Sequence, residues 1–174
     1  SPLFVLSFTI VNFEGTLSDR GKREDKQWAF RGKPSYIDIL TEGSVEAVAF
    51  ANNHAKDYGE VSYTDTIECF KKAGIAYSSY NTVGFYEVKG IKIGMISIQE
   101  YKVPKSTYME TFRKAMKAVK KEKPDLIIVS FHWGIERSNT PNKTQTELAR
   151  LAIDEGANLV LGHHPHVLQP IEKY

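Results

Sequence analysis

The order of apolar and polar positions predicts strands and helices that alternate along the chain. Short, compact apolar runs are typical of buried strands, and longer segments with apolar residues every three or four positions are typical of amphipathic helices. The predicted strands cover 8–15, 45–51, 75–77, 85–88, 91–98, 125–131 and 158–161, and the predicted helices cover 35–40, 60–73, 107–123 and 144–155. Helices that connect successive strands are the crossovers of an α/β sheet. The pattern therefore predicts an α/β fold.

Glycine and proline residues support these bounds. Gly74 and Gly156 follow two of the predicted helices, where glycine commonly ends a helix. Pro124 follows the third helix, and Lys89-Gly90 separates two apolar runs. A two-residue link that contains glycine predicts a tight β-hairpin turn.

Four predicted strands end in residues that can bind metals or transfer protons. Glu14 ends the first, Asn53 and His54 follow the second, His132 follows another, and a histidine cluster comes after Gly162. If these strands are neighbours in one sheet, their loops converge on one edge, where open α/β sheets place their chemistry. Asn12 and Glu14 are two positions apart, so they face the same side of an extended strand. The convergence favours a metal-binding or catalytic site.

Three histidines in four positions, His163, His164 and His166, form the densest chemical signal in the chain. Pro165 favours an extended path, on which His164 and His166 point to the same side and share a metal site. Alternatively, the cluster consists of surface loop residues or caps on backbone carbonyls. Glu14, Asn53 and His54 also have structural alternatives to a role in metal binding or catalysis. Glu14 could be a solvated residue in a turn, and Asn53 could form a turn beside a histidine on the surface.

The segment 18–33 lacks a clear period and predicts a long, charged loop. Trp28, Phe30 and Arg31 within it either anchor the loop to the core, which is the favoured interpretation, or contact a ligand. Gln99, Glu100 and Tyr101 follow another strand and are less favoured as site residues.

Bulk properties narrow the class of protein. The 174 residues suit one domain, and 41% hydrophobic and 25% charged residues are ordinary for a globular protein. A formal net charge of +2 gives no support for nucleic-acid binding. The sole cysteine, Cys69, excludes an intrachain disulfide framework and a cysteine-based zinc site, and we interpret it as a packing residue rather than a nucleophile.

The ends of the chain suggest a fragment. The segment 1–6 is too short and unflanked for a signal peptide, and no apolar run approaches the length of a membrane span. The chain starts abruptly and ends at Tyr174 just after a new apolar segment begins. We therefore expect one domain, 1–174, truncated at both ends.

Four motifs together resemble a known family. They are Asn12-Phe13-Glu14, Ala51-Asn52-Asn53-His54 with Asp57 and Gly59, His132-Trp133-Gly134 with Glu136, and Gly162-His163-His164-Pro165-His166-Val167. In this order they resemble the bacterial capsule synthesis (CapA-type poly-gamma-glutamate biosynthesis) family, itself similar to calcineurin-like metallophosphoesterases. The resemblance implies a four-layer α/β/β/α sandwich with two metal ions at the strand ends.

The resemblance also implies roles for individual residues. Glu14 stands where the superfamily usually has a bridging aspartate, with Asn53, His132, His164 and His166 as further metal ligands, His54 as the acid and His163 as a bystander. Supporting or substrate-contacting residues would be Asn12, Asp57, Glu136 and Arg31. The superfamily's first, aspartate-bearing motif has no counterpart in 1–8, and the family's usual stretch after the last histidines is also missing. One metal site is thus complete in outline, whereas the other has only Glu14 and His166.

These roles imply one or two divalent ions of manganese, iron or zinc, since mixed nitrogen and oxygen ligands suit such metals. The expected chemistry is attack of a metal-activated water on a phosphoryl or carbonyl-type centre, with His54 protonating the leaving group.

The family resemblance also implies partners and a location. Expected partners are poly-gamma-glutamate or another polyanionic polymer, met by Arg20, Lys22, Arg23, Arg31 and Lys33, and other capsule-synthesis membrane proteins. The expected location is extracytoplasmic, at the cell surface or anchored through a segment outside this chain. Two alternatives are a non-catalytic surface scaffold or polymer-binding component of an export or attachment assembly, and a plain intracellular phosphoesterase.

Overall fold

A computed structural model describes residues 8–174 and shows a mixed α/β protein. The segment 1–6, which we judged too short for a signal peptide, lies outside these residues. So does most of the segment 1–8, where the first superfamily motif has no counterpart. The strands are β1 Ile10–Asn12, β2 Thr16–Leu17, β3 Arg31–Gly32, β4 Ala47–Phe50, β5 Ala76–Ser79, β6 Gly84–Val88, β7 Ile91–Gln99, β8 Leu126–His132 and β9 Leu159–His163. The helices are α1 Asp38–Glu42, which follows a 3-10 turn at Pro34–Ile37, α2 Gly59–Ala73, α3 Lys105–Lys121 and α4 Lys143–Asp154.

Local sequence signals explain several of these bounds. Gly74 ends α2 in the left-handed conformation, with φ of 71°, as its position predicted. Lys89 and Gly90 both have positive φ, 50° and 79°, which confirms the tight hairpin turn between β6 and β7. Asn142 begins α4 with a capping box to Gln145, which the pattern did not predict. The first predicted strand is shorter than expected, because only Ile10–Asn12 pairs with β4.

The strands form two main sheets. One has the order β1-β4-β5 and is parallel; the other has the order β6-β7-β8-β9, in which only β6 runs antiparallel. The strands that precede Glu14 and Asn53 thus lie in a different sheet from those that lead to His132 and Gly162. The four strands are not neighbours in one sheet, because the β6–β7 hairpin starts a second sheet.

The two main sheets face each other across a small apolar layer. Ala47 of β4 packs there with Ile93 and Met95 of β7 and with Ile128 of β8. Ser78 of β5 and Ser97 of β7 join the two sheets through a buried hydrogen bond of 2.6 Å between their hydroxyl groups. The shared layer fixes the relative position of the sheets and brings the strand ends of both to one end of the molecule.

Helices cover the other face of each main sheet. In β7, Ile96 and Ile98 pack in a cluster with Phe112 and Met116 of α3, while Ile93 and Met95 face the opposite way. A second cluster holds the β1-β4-β5 sheet against the helices on its side, with members Leu40, Val48, Phe50, Ala55, Tyr63, Phe70 and Ile75. Within 8–174 no helix is both long enough and apolar enough to cross a bilayer.

The long loop holds its aromatic residues differently from the prediction. Trp28 is 65% exposed, so the expectation that it anchors the loop is wrong. The loop is instead attached through polar groups: Glu24 N–H donates to the Asp57 carbonyl, and Phe30 N–H donates to the Asp57 carboxylate. These contacts matter for the site, since Asp57 lies beside His54.

Candidate metal centre

The candidate site lies where the carboxyl ends of strands from both main sheets meet. Glu14 follows β1, Asn53 and His54 follow β4, His132 is the last residue of β8, and His164 and His166 follow β9. Glu14 approaches three of these histidines within 4 Å. The packing of the two sheets therefore produces the convergence that the sequence suggested for a single sheet.

The Glu14 carboxylate is the centre of this arrangement. Its Oε1 lies 3.7 Å from His132 Nε2 and 3.9 Å from the Nε2 atoms of His54 and His166. These separations are too long for hydrogen bonds, and Oε1 is buried with no hydrogen-bond partner within 8–174. Its other oxygen, Oε2, accepts a 2.9 Å bond from Asn12 Nδ2, which orients the carboxylate. The space between Oε1 and the imidazoles suits a cation that accepts ligands from both sides.

Two imidazoles carry unused nitrogen atoms into this space. In the described part of the chain, neither ring nitrogen of His132 or of His164 has a hydrogen-bond partner, and all four atoms are buried. Burial, together with the neighbouring histidines, lowers the pKa of His132 to about 2. Burial also lowers the pKa of His164. Both rings are therefore neutral near pH 7, the form that binds a metal.

The turn after β9 departs from the path expected for it. His164 and His166 have φ of 94° and 56°, so the backbone is left-handed at both residues, and the predicted extended path is wrong. Their side chains nevertheless converge, because ligand atoms of Glu14, His164 and His166 all lie within 4.8 Å of one another. The ring of Tyr101 packs 3.8 Å from that of His164, which holds the imidazole in place. Strained backbone held in this way is characteristic of functional sites.

The two asparagines after β4, Asn52 and Asn53, differ in their hydrogen bonding. Asn52 is fully buried and ties the strand ends together: its Nδ2 donates to the Phe13 carbonyl at 2.7 Å, and its Oδ1 accepts from His54 N–H at 3.1 Å. Asn53 Oδ1 is buried but has no hydrogen-bond partner within 8–174. A buried amide oxygen without a donor is costly, so Asn53 is suited to offer it to a cation.

His54 forms a dyad with a buried carboxylate. Its Nδ1 lies 2.7 Å from Asp57 Oδ2, and Asp57 is completely buried. This bond directs the other ring nitrogen, Nε2, towards Glu14. Lys26 forms an ion pair with the second Asp57 oxygen and donates a 2.7 Å hydrogen bond to the Asn53 carbonyl. The dyad is therefore held by the long loop as well as by its own strand end.

The remaining predicted site residues lie farther out. Arg31 stacks on the Tyr58 ring at 3.6 Å, and its Nη2 donates to the carbonyls of Arg20 and Gly21. Glu136 is exposed, and its charge acts on the pKa of His164 against the lowering by burial. His163 supplies its carbonyl to Trp133 N–H at 3.1 Å and is not in the group formed by Glu14, His164 and His166.

Three neighbours of the centre were not among the predicted site residues, although Phe30 had been considered as a ligand contact before the loop-anchoring role was favoured. Lys26 and Phe30 come from the long loop, and the Phe30 ring lies 4.4 Å from that of His54. No local pattern distinguishes Lys26 from the other charged residues around it. Tyr101 carried a weak signal, since it follows the end of β7, and it was given less weight than the histidines.

The donor set has the chemistry that a divalent metal requires. It contains carboxylate, amide and neutral imidazole atoms and no sulfur, and several of these donors are buried without a hydrogen-bond partner in the described range 8–174. Mixed oxygen and nitrogen ligands of this kind fit manganese, iron or zinc. A cavity of about 350 Å³ beside Asn12, Glu14 and 162–168 opens onto the group. The residues present therefore fit a divalent transition metal.

The chain is similar to curated proteins of bacterial capsule synthesis. The chain is 32% identical to the PGA biosynthesis protein CapA of Bacillus subtilis, with 99% of this chain and 51% of the relative covered. It is 30% identical to the capsule biosynthesis protein CapA of Bacillus anthracis, with 88% and 42% covered. A probable polyglutamine synthesis accessory protein of Mycobacterium tuberculosis is 26% identical, with 95% and 51% covered. The chain thus spans about half the length of the curated relatives it matches.

A solved structure supports the fold. A hypothetical protein from Thermus thermophilus superposes with a TM-score of 0.56 at 21% identity, covering 92% of this chain and 57% of that one. At this identity the similarity concerns the fold alone. The family model described as bacterial capsule synthesis protein PGA_cap matches residues 6–174. Nearly the whole chain is matched, so this protein belongs to the PGA_cap family of bacterial capsule synthesis proteins.

Proposed function

We propose that this protein is a metal-dependent hydrolase of poly-gamma-glutamate capsule synthesis. The observation that carries the proposal is the position of Glu14 Oε1, buried and unbonded within 8–174, no more than 3.9 Å from three imidazole Nε2 atoms. A folded protein does not gain by burying a carboxylate oxygen and several neutral imidazoles without partners. A bound cation would supply the missing partner for all of them.

The proposed ligands are the residues that offer buried or converging donors. Glu14 approaches His132 and His166, and its ligand atom forms a compact group with those of His164 and His166. Asn53 offers a further buried oxygen without a partner within 8–174. The number of donors suits one ion with a complete set or two ions that share Glu14. When bound, manganese, iron or zinc would polarise the substrate and lower the pKa of a coordinated water.

His54 is the proposed proton donor. Asp57 accepts from its Nδ1, which fixes the orientation of the ring and leaves Nε2 as the nitrogen that can hold the donated proton. Its Nε2 then faces the region of Glu14, where the leaving oxygen of a substrate would need a proton. The Phe30 ring packs against the imidazole and limits the access of water on that side.

We propose that the complete architecture is the four-layer α/β/β/α sandwich of metallophosphoesterases. Three apolar clusters support this: one between the two main sheets, and one between each sheet and the helices on its outer face. In such a sandwich, the strand ends of both sheets build one site, as they do around Glu14.

The capsule role is proposed from the relatives, whose names refer to capsule and PGA biosynthesis. On this basis the substrate or bound polymer is poly-gamma-glutamate or another polyanion, the partners are other capsule-synthesis membrane proteins, and the location is extracytoplasmic. The proposed substrate, partners and location rest on the names of the relatives, whereas the proposed metal chemistry rests on the residues around Glu14.

The test combines metal content with turnover. His132→Ala and His164→Ala should each lower the bound manganese or zinc by more than half, whereas His163→Ala, the matched control from the same cluster, should leave it unchanged. The metal-loaded protein is then assayed on phosphodiesters and on poly-gamma-glutamate. Equal metal content in all variants contradicts the proposed centre. Polymer binding without any turnover instead favours a non-catalytic scaffold.

A further inference from the structure

We propose that the cavity beside Glu14, on the side of Phe30, is an apolar subsite that binds a short aliphatic chain of the substrate. The inference rests on the proposed function, because it places this chain next to the reacting group. It adds a feature that the metal ligands do not specify, namely an apolar part of the substrate.

The cavity adjoins the candidate centre at Glu14. It measures about 410 Å³ and is lined mainly by apolar side chains, Phe13, Leu17, Phe30, Tyr36, Ile39 and Leu40. Glu14 lines both this cavity and the one that opens onto the histidines. A substrate whose reacting group lies at Glu14 therefore has the apolar cavity next to that group.

The wall formed by Phe30 is fixed by hydrogen bonds and ring packing. Phe30 N–H donates to Asp57 Oδ2 at 2.6 Å, and its carbonyl accepts from Thr16 N–H at 3.3 Å. One face of its ring contacts His54. Because the backbone is held on both sides, the cavity exists before a ligand enters, which is typical of small-molecule sites.

The opposite wall of the cavity, formed by Tyr36 and Ile39, is apolar and largely exposed to solvent. Tyr36 is 51% exposed and Ile39 is 67% exposed, and Phe30 across the cavity is 45% exposed. These residues lie in one part of the chain, from the end of the long loop to α1. Clustered exposed apolar side chains beside a functional centre mark a binding surface.

The charges around the cavity favour an apolar occupant over a carboxylate-bearing one. Arg31 is the sole cationic residue of the lining within 8–174, and its guanidinium is committed to the Tyr58 ring and to two loop carbonyls. The other charged residue of the lining, Glu14, repels anions. A carboxylate would thus lose its hydration here without gaining a partner, whereas methylene groups gain by burial. The subsite therefore takes an aliphatic segment of the polyanionic substrate and leaves the carboxylates of that substrate outside.

The experiment measures chain-length dependence of binding with the full chain. In the metal-free protein, straight-chain alcohols from butanol to octanol should bind about fourfold more tightly per added methylene, as burial of about 0.8 kcal/mol per methylene predicts. Ile39→Ser should flatten this dependence. Ile91→Ser is the matched control, since Ile91 is also partly exposed but begins β7, at the other end of that strand from the site. In the manganese-loaded protein, alkylphosphonates from methyl to octyl should show the same dependence.

The outcomes separate this inference from the proposed function. The subsite is overturned if the alcohol affinities do not change with chain length. It is also overturned if Ile39→Ser and Ile91→Ser weaken the chain-length dependence equally. A dependence for alcohols but none for phosphonates on metal-loaded protein shows a cavity that does not serve the centre, and this also overturns it. Failure of the protein to bind metal contradicts the proposed function and appears in the metal analysis, whereas the alcohol series still decides the cavity.

Discussion

Glu14 Oε1 and His132 Nε2 lie 3.7 Å apart, and neither atom has a hydrogen-bond partner within 8–174. One atom comes from the end of a strand in the first main sheet and the other from a strand of the second. The gap between them is too wide for a hydrogen bond and too enclosed for bulk water. This relationship connects the stacking of the sheets to the proposed chemistry.

The first prediction concerns Glu14→Gln. Without metal, the amide can accept from Asn12 Nδ2 with its oxygen and donate towards the imidazoles, so it satisfies groups that the carboxylate leaves unpaired. We expect the metal-free variant to be more stable by about 1 kcal/mol, which raises Tm by roughly 2–4 °C for a chain of this size. Thermal unfolding in the presence of a chelator measures this shift.

When metal is added, the wild-type protein should instead become more stable than Glu14→Gln. Saturating manganese or zinc at about 100 times Kd stabilises the wild-type protein by about 2.7 kcal/mol, and the amide variant should gain much less. Glu60→Gln, which changes an exposed carboxylate on α2, is the control and should respond to metal as the wild type does. Parallel metal-induced shifts for wild type and Glu14→Gln would argue against Glu14 as a ligand.

The second prediction separates the proposed acid from the ligands. His54→Ala should lower turnover of a phosphodiester by about 100- to 10,000-fold, the usual contribution of general acid catalysis. Its metal content should stay at the wild-type level, since the proposed acid carries a proton on Nε2, the nitrogen that faces Glu14, and a protonated nitrogen has no lone pair for a metal. Metal analysis and steady-state rates on the same preparation check both parts. Loss of metal together with activity would make His54 a ligand instead.

Local sequence patterns were sufficient for the elements and for the residues at the strand ends. Apolar periodicity placed all four helices. Glu14, Asn53, His132 and His164 were predicted as site residues because of their place at or just after a predicted strand end, and the structure puts each of them there. The side chains at these positions depend mainly on where a strand stops. That information is contained in a few neighbouring residues.

Relations between distant segments were not accessible in the same way. The division into two sheets depends on contacts such as Ser78 with Ser97, and no local pattern encodes which strands pair. The left-handed turn at His164 and His166 opposes the extended preference of a residue before proline. Packing against Tyr101 and Glu14 overrides that preference, so a local rule gave the wrong path and the right pair of side chains.

The third prediction concerns the attachment of the long loop to the dyad. Lys26→Met keeps the aliphatic stem but leaves the buried Asp57 without its ion pair. We expect a loss of roughly 1–3 kcal/mol in the free energy of unfolding, the cost of an unsatisfied buried group. Lys71→Met is the matched control, because Lys71 pairs with Glu68 at an exposed position, and its loss in the free energy of unfolding should be far smaller than that of Lys26→Met. Urea denaturation of both variants gives the comparison, and equal losses would contradict a structural role for the Lys26 pair.

The fourth prediction is a pH dependence of the metal-free protein that arises from its buried histidines. The pKa of His132 is lowered by burial to about 2, whereas an unfolded histidine titrates near 6.5. Below about pH 6.5 the unfolded chain therefore binds a proton that the folded chain does not, so stability falls as pH falls, and for His132 it continues to fall towards pH 2. The contribution of His132 to the slope should approach about 1.4 kcal/mol per pH unit. Urea denaturation between pH 7.5 and 5 in chelator measures it, and His132→Gln should remove this part of the slope. Identical slopes for the wild type and this variant would mean that His132 is protonated in the folded protein, which would leave it without a lone pair for a metal.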